Sequence, residues 1–404
     1  MSAPSGYAAV LRLPGALRVF VPALLGRLSF GMVTLALLFA VQGSTGSYAV
    51  AGAATGLFGL ANVLASPYRA RLVDRWGQRA TLSTLAVAYA LGLSGLAALT
   101  AEAGPAVWAV LVLAAAAGFF PPPLGAAMRV LWGTIAPTPA MRTRAYSVDA
   151  VAEEVLFTTG PLIVVAIITV TSPPAGLLAT AGAAFVGTLL MTSGAASRTQ
   201  RAGREPAARH ARPLRQAGFR SVLLALLGIG CVLGTVEVAA PAFATNAGSP
   251  VVAGVLLASF SAGSMIGGLI YGHWEWKSAL AARLLVLGVL LALFSGLLVL
   301  AFNVVVLGIG LALVGFFLAP SLVTGYLLAD ELTAPQVRTE ASSWINTAVN
   351  TGAAIAAAGG GLVVDYLSTP AAFAFGTVAA LVCLAIAVPL LTRSLTSRPA
   401  RAGV

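Results

Sequence analysis

Apolar stretches of about 20 residues recur along the whole 404-residue chain, and a helix of that length crosses the ~30 Å hydrocarbon core of a bilayer. Hydrophobic residues make up 59% of the chain and charged residues only 9%, which leaves too little polar surface to cover a soluble globule. The sequence therefore predicts an all-α integral membrane protein. The runs are continuously apolar rather than alternating, which argues against a transmembrane β-barrel.

Twelve membrane spans are predicted from these runs. They cover residues 18–42, 47–66, 81–101, 105–131, 144–170, 174–194, 219–245, 250–272, 279–302, 304–329, 340–365 and 369–392. The first run is too long for a signal-peptide core and residues 1–17 show no cleavage-site pattern, so we expect it to stay as a helix.

The net charge of +11 follows membrane topology rather than a polyanionic partner. If the N-terminus is cytoplasmic, the basic residues outside the spans or at their cytoplasmic ends fall on one side of the membrane, and the opposite loops have none. We therefore expect both termini in the cytoplasm, lipid headgroups as neighbours and no nucleic-acid partner. Abundant Arg, Ala and Gly favour a bacterial inner membrane. The cytoplasmic basic residues are Arg12, Arg18, Arg69, Arg71, Arg75, Arg79, Arg142, Arg144, seven arginines from Arg198 to Arg220, Lys277, Arg283, Arg338, Arg393, Arg398 and Arg401.

The chain is predicted to consist of two similar halves. A polar, basic linker at 197–218 separates a six-span bundle at 1–196 from a second at 219–404, which ends in a short cytoplasmic tail. GFFPPP at 118–123 matches GFFLAP at 315–320, and MRTRAYS at 141–147 matches VRTEASS at 337–343. Because each half has an even number of spans, the halves are related by a pseudo-twofold axis along the membrane normal.

The loop between spans 2 and 3 reads ARLVDRWGQRATL at 70–82. It resembles the major facilitator superfamily signature G-x-L-A-D-R-x-G-R-K-x-x-L, with Ala70 in place of the first glycine and Gln78 in place of a basic residue. The resemblance extends over roughly residues 18–393 and implies the twelve-helix major facilitator fold. It also implies a cytoplasmic gate formed by Asp74, Arg75, Gly77 and Arg79, in which Asp74 contacts the start of span 11 near Arg338 and Glu340. The alternative is a solvated loop that only sets topology.

Charged residues inside the spans are candidate functional groups, because a charge at that depth must pair or face water. Arg27 in span 1 and Glu153 in span 5 lie at similar depth, as do Arg129 in span 4 and Asp149 in span 5. We predict the pairs Arg27–Glu153 and Arg129–Asp149. Glu154 is rotated by about 100° from Glu153 and must face elsewhere.

Glu154 is the predicted proton-carrying group. The repeat places Asn350 at its position in the second half, and Asn346 lies one turn earlier on the same face. A polar stripe of this kind should face a central cavity, where a carboxylate can gain and lose a proton. The alternative is that all three acids of span 5 form static pairs.

Glu237 in span 7 is either a second contact for a cation or substrate, or an interfacial acid. The interior acids outnumber the interior arginines, which favours protons and neutral or cationic substrates over anions.

Prolines and glycines indicate bends and close helix contacts. Pro121–Pro123 should kink span 4, and Pro320 should do the same in span 10. Gly160–Pro161 resembles part of an exporter signature, which modestly favours efflux. Small residues at a spacing of four predict close contacts that are either sliding or static. They are Gly52/Gly56, Gly263/Gly267 and Gly352/Ala356/Gly360.

The leading functional prediction is secondary transport of a small molecule by alternating access, as proton-coupled efflux of a neutral or cationic compound. The alternatives are an uptake symporter or uniporter of the same fold, and a membrane sensor or scaffold that does not transport. An enzyme is not expected, since the sequence has no phosphate-binding loop, no nucleophile–base pair and no metal-ligand set. We expect no cofactor, a proton gradient as the energy source and a monomer.

Overall fold

The computed structural model describes residues 6–102, 104–199, 212–246 and 252–396, and these residues form helices without a strand. The α-helices are α1 (Tyr7–Leu11), α2 (Ala16–Thr45), α3 (Tyr48–Trp76), α4 (Gln78–Leu99), α5 (Val107–Gly118), α6 (Leu124–Ile135), α7 (Pro139–Val170), α8 (Pro173–Ser193), α9 (Ala195–Thr199), α10 (Ala217–Asn246), α11 (Val252–His273), α12 (Leu280–Leu297), α13 (Val304–Leu332), α14 (Arg338–Tyr366) and α15 (Thr369–Thr396).

Ten helices within the described residues are long and apolar enough to cross a membrane, namely α2, α4, α7, α8 and α10 to α15. The two remaining predicted spans correspond to α3 and to the short apolar pair α5 and α6. The predicted all-α membrane fold is confirmed.

The fourth predicted span is two helices, which corrects the prediction of one kinked helix. α5 ends at Gly118 and α6 begins at Leu124. The prolines at 121–123 have no N–H to donate to the carbonyl groups four residues earlier, at 117–119, so no α-helical bond can form across this segment. By contrast, α13 continues through Pro320 as one helix.

Arg69 of α3 supplies hydrogen-bond donors to the carbonyl groups that the prolines leave without N–H partners. Its Nη1 donates to the carbonyl oxygens of Gly118 at 3.1 Å and Phe119 at 2.9 Å. Its Nη2 donates to the backbone and side-chain oxygens of Asn62, at 3.1 and 2.7 Å. Arg69 was expected among the basic residues that set the membrane topology. It is buried instead, and it supplies the hydrogen bonds that the carbonyl groups at the end of α5 lack.

The described residues fall into two compact units. The first contains the described residues up to 137 and residues 152–199, and the second contains residues 138–151 and the described residues from 212 onward. The beginning of α7 therefore packs with the second unit and the rest of α7 with the first. Residues 200–211 of the predicted linker lie outside the described residues, and the division of the chain at that linker stays a prediction.

Glycines set the closest helix crossings of the first unit. A Cβ on Gly187 of α8 would clash with the backbone of Gly26 in α2. A Cβ on Gly160 of α7 would lie 2.7 Å from the carbonyl carbon of Gly31, and one on Gly31 would lie 2.6 Å from the carbonyl oxygen of Leu156. α8 and the later part of α7 thus pack against α2 at backbone distance.

Glycines also set close helix crossings in the second unit, at positions predicted from the sequence. Gly263 and Gly267 of α11 lie against the backbone of α13, and Gly352 of α14 lies against the backbone of α10. Close contact is therefore confirmed at these three glycines. Gly56, from the other predicted pair, faces open space.

Replacing Gly187 with alanine is expected to lower the free energy of unfolding by about 1–3 kcal/mol, because the α2–α8 crossing has no room for a Cβ. The matched control is Gly182→Ala in the same helix, where a Cβ meets nothing within 4 Å and alanine should stabilise the helix by about 0.5–1 kcal/mol. Unfolding of the purified protein in detergent measures both changes. Equal effects of the two substitutions would contradict the crossing.

Candidate functional site

Two buried arginines share one carboxylate inside the first unit. Arg27 Nη2 lies 2.9 Å from Glu153 Oε2, and Arg129 Nη2 donates to the same oxygen at 3.3 Å. The side chains of Arg27 and Arg129 are 2% and 4% exposed, whereas that of Glu153 is 31% exposed. Each of the three groups offsets the desolvation of another, which allows charges to lie in a membrane-spanning bundle.

Three helices bring these groups together. Arg27 lies eleven residues after the start of α2, or about 16 Å along its axis, and Arg129 lies in the second turn of α6. Gly125, one turn before Arg129, leaves space beside the two guanidinium groups, since a Cβ there would lie 3.5 Å from Arg129 Nη1 and 3.7 Å from Arg27 Nε. An alanine Cβ would make ordinary van der Waals contacts there, and a side chain that extends further would crowd the ion-pair cluster.

The predicted Arg27–Glu153 pair is confirmed. The contact between Arg129 and Glu153 is not predicted from the sequence, because a single helix over residues 105–131 would place Arg129 at the depth of Asp149. The non-helical segment 119–123 changes the rise per residue and invalidates that depth. Asp149 is buried and groups with the second unit, and its pairing with Arg129 stays a prediction.

Glu154 lies next to the ion-pair cluster in α7 and is half-buried. The helical geometry separates its side-chain direction from that of Glu153 by about 100°. Its predicted proton-carrying role is not decided by this placement.

A polar network that is not predicted from the sequence lies in the second unit. Tyr326 of α13 donates its hydroxyl to Asn346 Oδ1 in α14, and Tyr146 of α7 donates to Asp330 Oδ2. The two tyrosine rings contact edge to face at a centroid distance of 6.5 Å. Arg338 Nε lies 3.7 Å from Asp330 Oδ1. Tyr326 and Asp330 are four residues apart on one face of α13. This spacing is the sequence feature from which the network could have been predicted.

The remaining predicted site residues of the second unit are exposed. Asn350 lies one turn after Asn346 in α14, and its side chain is exposed. Glu237, in α10, is also exposed, and its predicted contact with a cation or substrate remains a prediction.

The signature loop is a tight connection between α3 and α4. Gly77 joins the two helices with φ of 86°, a left-handed value that favours glycine. Arg75 and Arg79 are exposed, and Asp74 is half-buried. The gate assigned to these residues stays a prediction.

Gln78, which departs from the signature, is buried within the first unit. Its Nε2 donates to the carbonyl oxygen of Ala127 in α6 at 3.1 Å, and its Oε1 accepts from Ser197 Oγ in α9 at 3.3 Å. A charged side chain at this position would be buried between the same neutral groups. The neutral amide therefore fits the site and links α4 to α6 and α9.

Membrane-spanning helices with charged residues inside the spans are typical of multi-pass membrane transporters. The sequence model of the Major Facilitator Superfamily matches residues 19–277 and 222–403, so the chain belongs to that superfamily. It is accordingly a transporter and not an enzyme. No curated protein sequence matches the chain.

Solved structures of transporters share the fold. A bacterial homologue of the iron transporter ferroportin in its outward-facing state has a TM-score of 0.73 at 16% identity, covering 95% of this chain and 100% of its own. The human organic anion transporter MFSD10 (TETRAN) has a TM-score of 0.71 at 16% identity, covering 93% and 99%. The proton:xylose symporter XylE, bound to 6-bromo-6-deoxy-D-glucose, has a TM-score of 0.68 at 13% identity, covering 93% and 96%. At these identities the likeness concerns the fold alone.

Proposed function

We propose that the chain exports a neutral or cationic small molecule in exchange for protons, with Glu154 as the proton-carrying group. The observation that carries this proposal is the contact of both Arg27 and Arg129 with Glu153. Proton uptake at Glu153 would break two ion pairs in the first unit, so Glu153 is better suited to hold helices together. Glu154, a half-buried carboxylate in the same membrane-spanning helix, is the stronger candidate for a proton carrier.

Efflux is favoured by Gly160–Pro161, which resembles part of an exporter signature. Gly160 lets α7 approach the backbone of Gly31 in α2, and a close helix contact of this kind is compatible with movement of α7 during export. The alternative of proton-coupled uptake by the same fold is an outcome of the experiment below.

Placement in the membrane is part of the same proposal. The abundance of Arg, Ala and Gly supports a bacterial inner membrane, and the distribution of the basic residues supports both termini in the cytoplasm. We propose further that the transporter is a monomer, uses the proton gradient and needs no cofactor.

Purified protein in liposomes with an imposed pH gradient tests the coupling. Ethidium serves as the cationic probe and chloramphenicol as the neutral one, and internal pH is followed with an entrapped dye. The wild type is expected to move protons only when a transported probe is present, in the direction opposite to the probe. Proton movement in the same direction as the probe would establish uptake symport instead, and probe movement without protons would establish a uniporter. A screen of further compounds with no proton or substrate movement would favour a scaffold.

Glu154→Gln is expected to abolish the part of transport that depends on the pH gradient while leaving the protein folded, since glutamine keeps the shape and removes the titrating group. Glu154→Asp should retain part of it. Glu102→Gln, at an exposed acid between α4 and α5, is the matched control and should transport as the wild type does. Full pH-driven transport by Glu154→Gln would rule out Glu154 as the proton carrier.

A further inference from the structure

A cavity of about 350 Å³ lies within the second unit, where α11, α12 and α13 meet. It has the size of a small ligand site, and its wall is apolar and aromatic apart from Arg283, Ser278 and the Tyr271 hydroxyl. Ile270 and Val286 on its rim are exposed, and they belong to membrane-spanning helices, so the cavity opens toward lipid. We call it the α11–α13 groove. Its wall includes Gly267, Tyr271, Arg283, Leu290, Phe316 and Pro320.

Arg283 lies in the wall of the α11–α13 groove and is only 8% exposed. Its Nη1 donates to the Tyr271 hydroxyl at 2.8 Å, while Nη2 and Nε donate to the carbonyl oxygen and Oγ of Ser278 at 2.6 and 3.4 Å. The guanidinium carbon lies 5.1 Å from the ring centroid of Trp276. All of these partners are neutral.

No carboxylate among the described residues pairs with Arg283. Glu275, the nearest acid in the sequence, lies 3.8 Å from Arg144 instead. A guanidinium group has five N–H donors, and its three hydrogen bonds leave one N–H on each of Nη1 and Nη2 without a partner in the described part of the chain. A buried cation without a counter-ion is unfavourable, and a fork of two N–H groups matches the oxygens of a phosphate.

The loop beside Arg283 has the composition of a membrane interface. Trp274 and Trp276 are exposed, and Lys277 follows them. Exposed tryptophans are typical of the headgroup level of a bilayer, and cations near that level attract anionic headgroups. The apolar remainder of the groove extends from this level along α12 to Leu290, about 10 Å beyond Arg283 by helical rise.

We propose that the α11–α13 groove binds one anionic phospholipid. The phosphate group pairs with Arg283, and an acyl chain lies along the groove between α12 and the phenylalanines of α13. The charge complementarity and the opening toward lipid favour a bilayer lipid over a soluble anion. This binding site is separate from the proposed transport function, and its test needs no transported substrate.

Quenching of tryptophan fluorescence by lipids with brominated acyl chains tests the proposal. The protein is reconstituted in phosphatidylcholine vesicles, and brominated phosphatidylglycerol or brominated phosphatidylcholine is added in steps. The contribution of Trp276 is the signal that disappears in Trp276→Phe. The anionic lipid is expected to quench Trp276 at a mole fraction about fivefold lower than the zwitterionic lipid. This ratio corresponds to the attraction of about 1 kcal/mol between one cationic side chain and an anionic lipid surface.

Two variants assign that preference to the α11–α13 groove. Arg283→Gln should make the mole fractions at which the two lipids quench Trp276 equal. Val286→Phe fills the groove from its exposed rim and keeps every Arg283 contact, and it should weaken quenching by both lipids. If Arg283→Gln does not fold, Val286→Phe decides. Arg18→Gln, at an exposed arginine of α2, is the matched control and should keep the fivefold preference.

Three results would overturn the proposal. The first is equal quenching of wild-type Trp276 by the two lipids, and the second is a preference that survives Arg283→Gln. The third is a dimer, detected by light scattering, that Val286→Phe dissociates, because a second copy of the chain would then occupy the groove.

Discussion

Replacing Glu153 with glutamine is expected to lower the free energy of unfolding by about 2–3 kcal/mol, because it leaves two buried guanidinium groups without the carboxylate that they share. The loss stays below the ~3–5 kcal/mol of a fully buried pair because the Glu153 side chain is 31% exposed. Reversible unfolding of the purified protein in detergent micelles measures the change.

An exposed acid provides the control, since Glu102→Gln makes the same chemical change between α4 and α5. That variant should unfold with a free energy within about 0.5 kcal/mol of the wild type. A double-mutant cycle with Arg27→Met then isolates the coupling between Arg27 and Glu153. Equal stability losses for the two glutamine variants would show that the ion-pair cluster does not hold α2, α6 and α7 together.

Replacing Arg69 with methionine is expected to lower the free energy of unfolding by about 3 kcal/mol or more. Methionine keeps most of the apolar stem but leaves the carbonyl groups of Gly118 and Phe119 buried or partly buried without donors, and each unsatisfied group costs about 1–3 kcal/mol. The same unfolding measurement in detergent tests this expectation. Arg75→Met, at an exposed arginine of the same helix, should change the free energy by no more than about 0.5 kcal/mol.

The prolines provide a second test of whether the loss comes from the unsatisfied carbonyl groups of Gly118 and Phe119. Replacing Pro122 and Pro123 with alanine restores the N–H groups that can donate to the carbonyls of Gly118 and Phe119. In that background, Arg69→Met should cost less than it does in the wild type. An unchanged cost would mean that Arg69 stabilises the protein in another way.

The spans and one ion pair were accessible from sequence for the same physical reason. Hydrocarbon excludes charge, so long apolar runs define the helices, and the few charges within them have few possible partners. Arg27 and Glu153 lie at similar depth by simple counting at the helical rise, and the structure joins them. Such counting is valid only where the helix is continuous.

Three features were not accessible in this way. The contact of Arg129 with Glu153 could not be predicted, because the break before α6 changes the depth of Arg129. Tyr146 and Asp330 are 184 residues apart, and nothing local in the sequence couples a hydroxyl to an acid at that distance. In the sequence, Gln78 is only a departure from a signature. Its burial and its two hydrogen bonds depend on where α6 and α9 lie relative to α4.

The contact between Arg69 and the end of α5 also has a consequence for biosynthesis. The carbonyl groups that Arg69 binds follow it by 49 and 50 residues, so the ribosome delivers α3 well before α5 exists. In that interval the Arg69 guanidinium has only Asn62 as a partner within α3. Arg69 lies about 10 Å before the end of α3 by helical rise, so it makes insertion of this helix less favourable, by less than the ~2.5–3.5 kcal/mol of a central arginine. α3 is also absent from the ten described helices that are apolar enough to cross a membrane by themselves. Stable insertion of α3 is therefore coupled to the later arrival of α5.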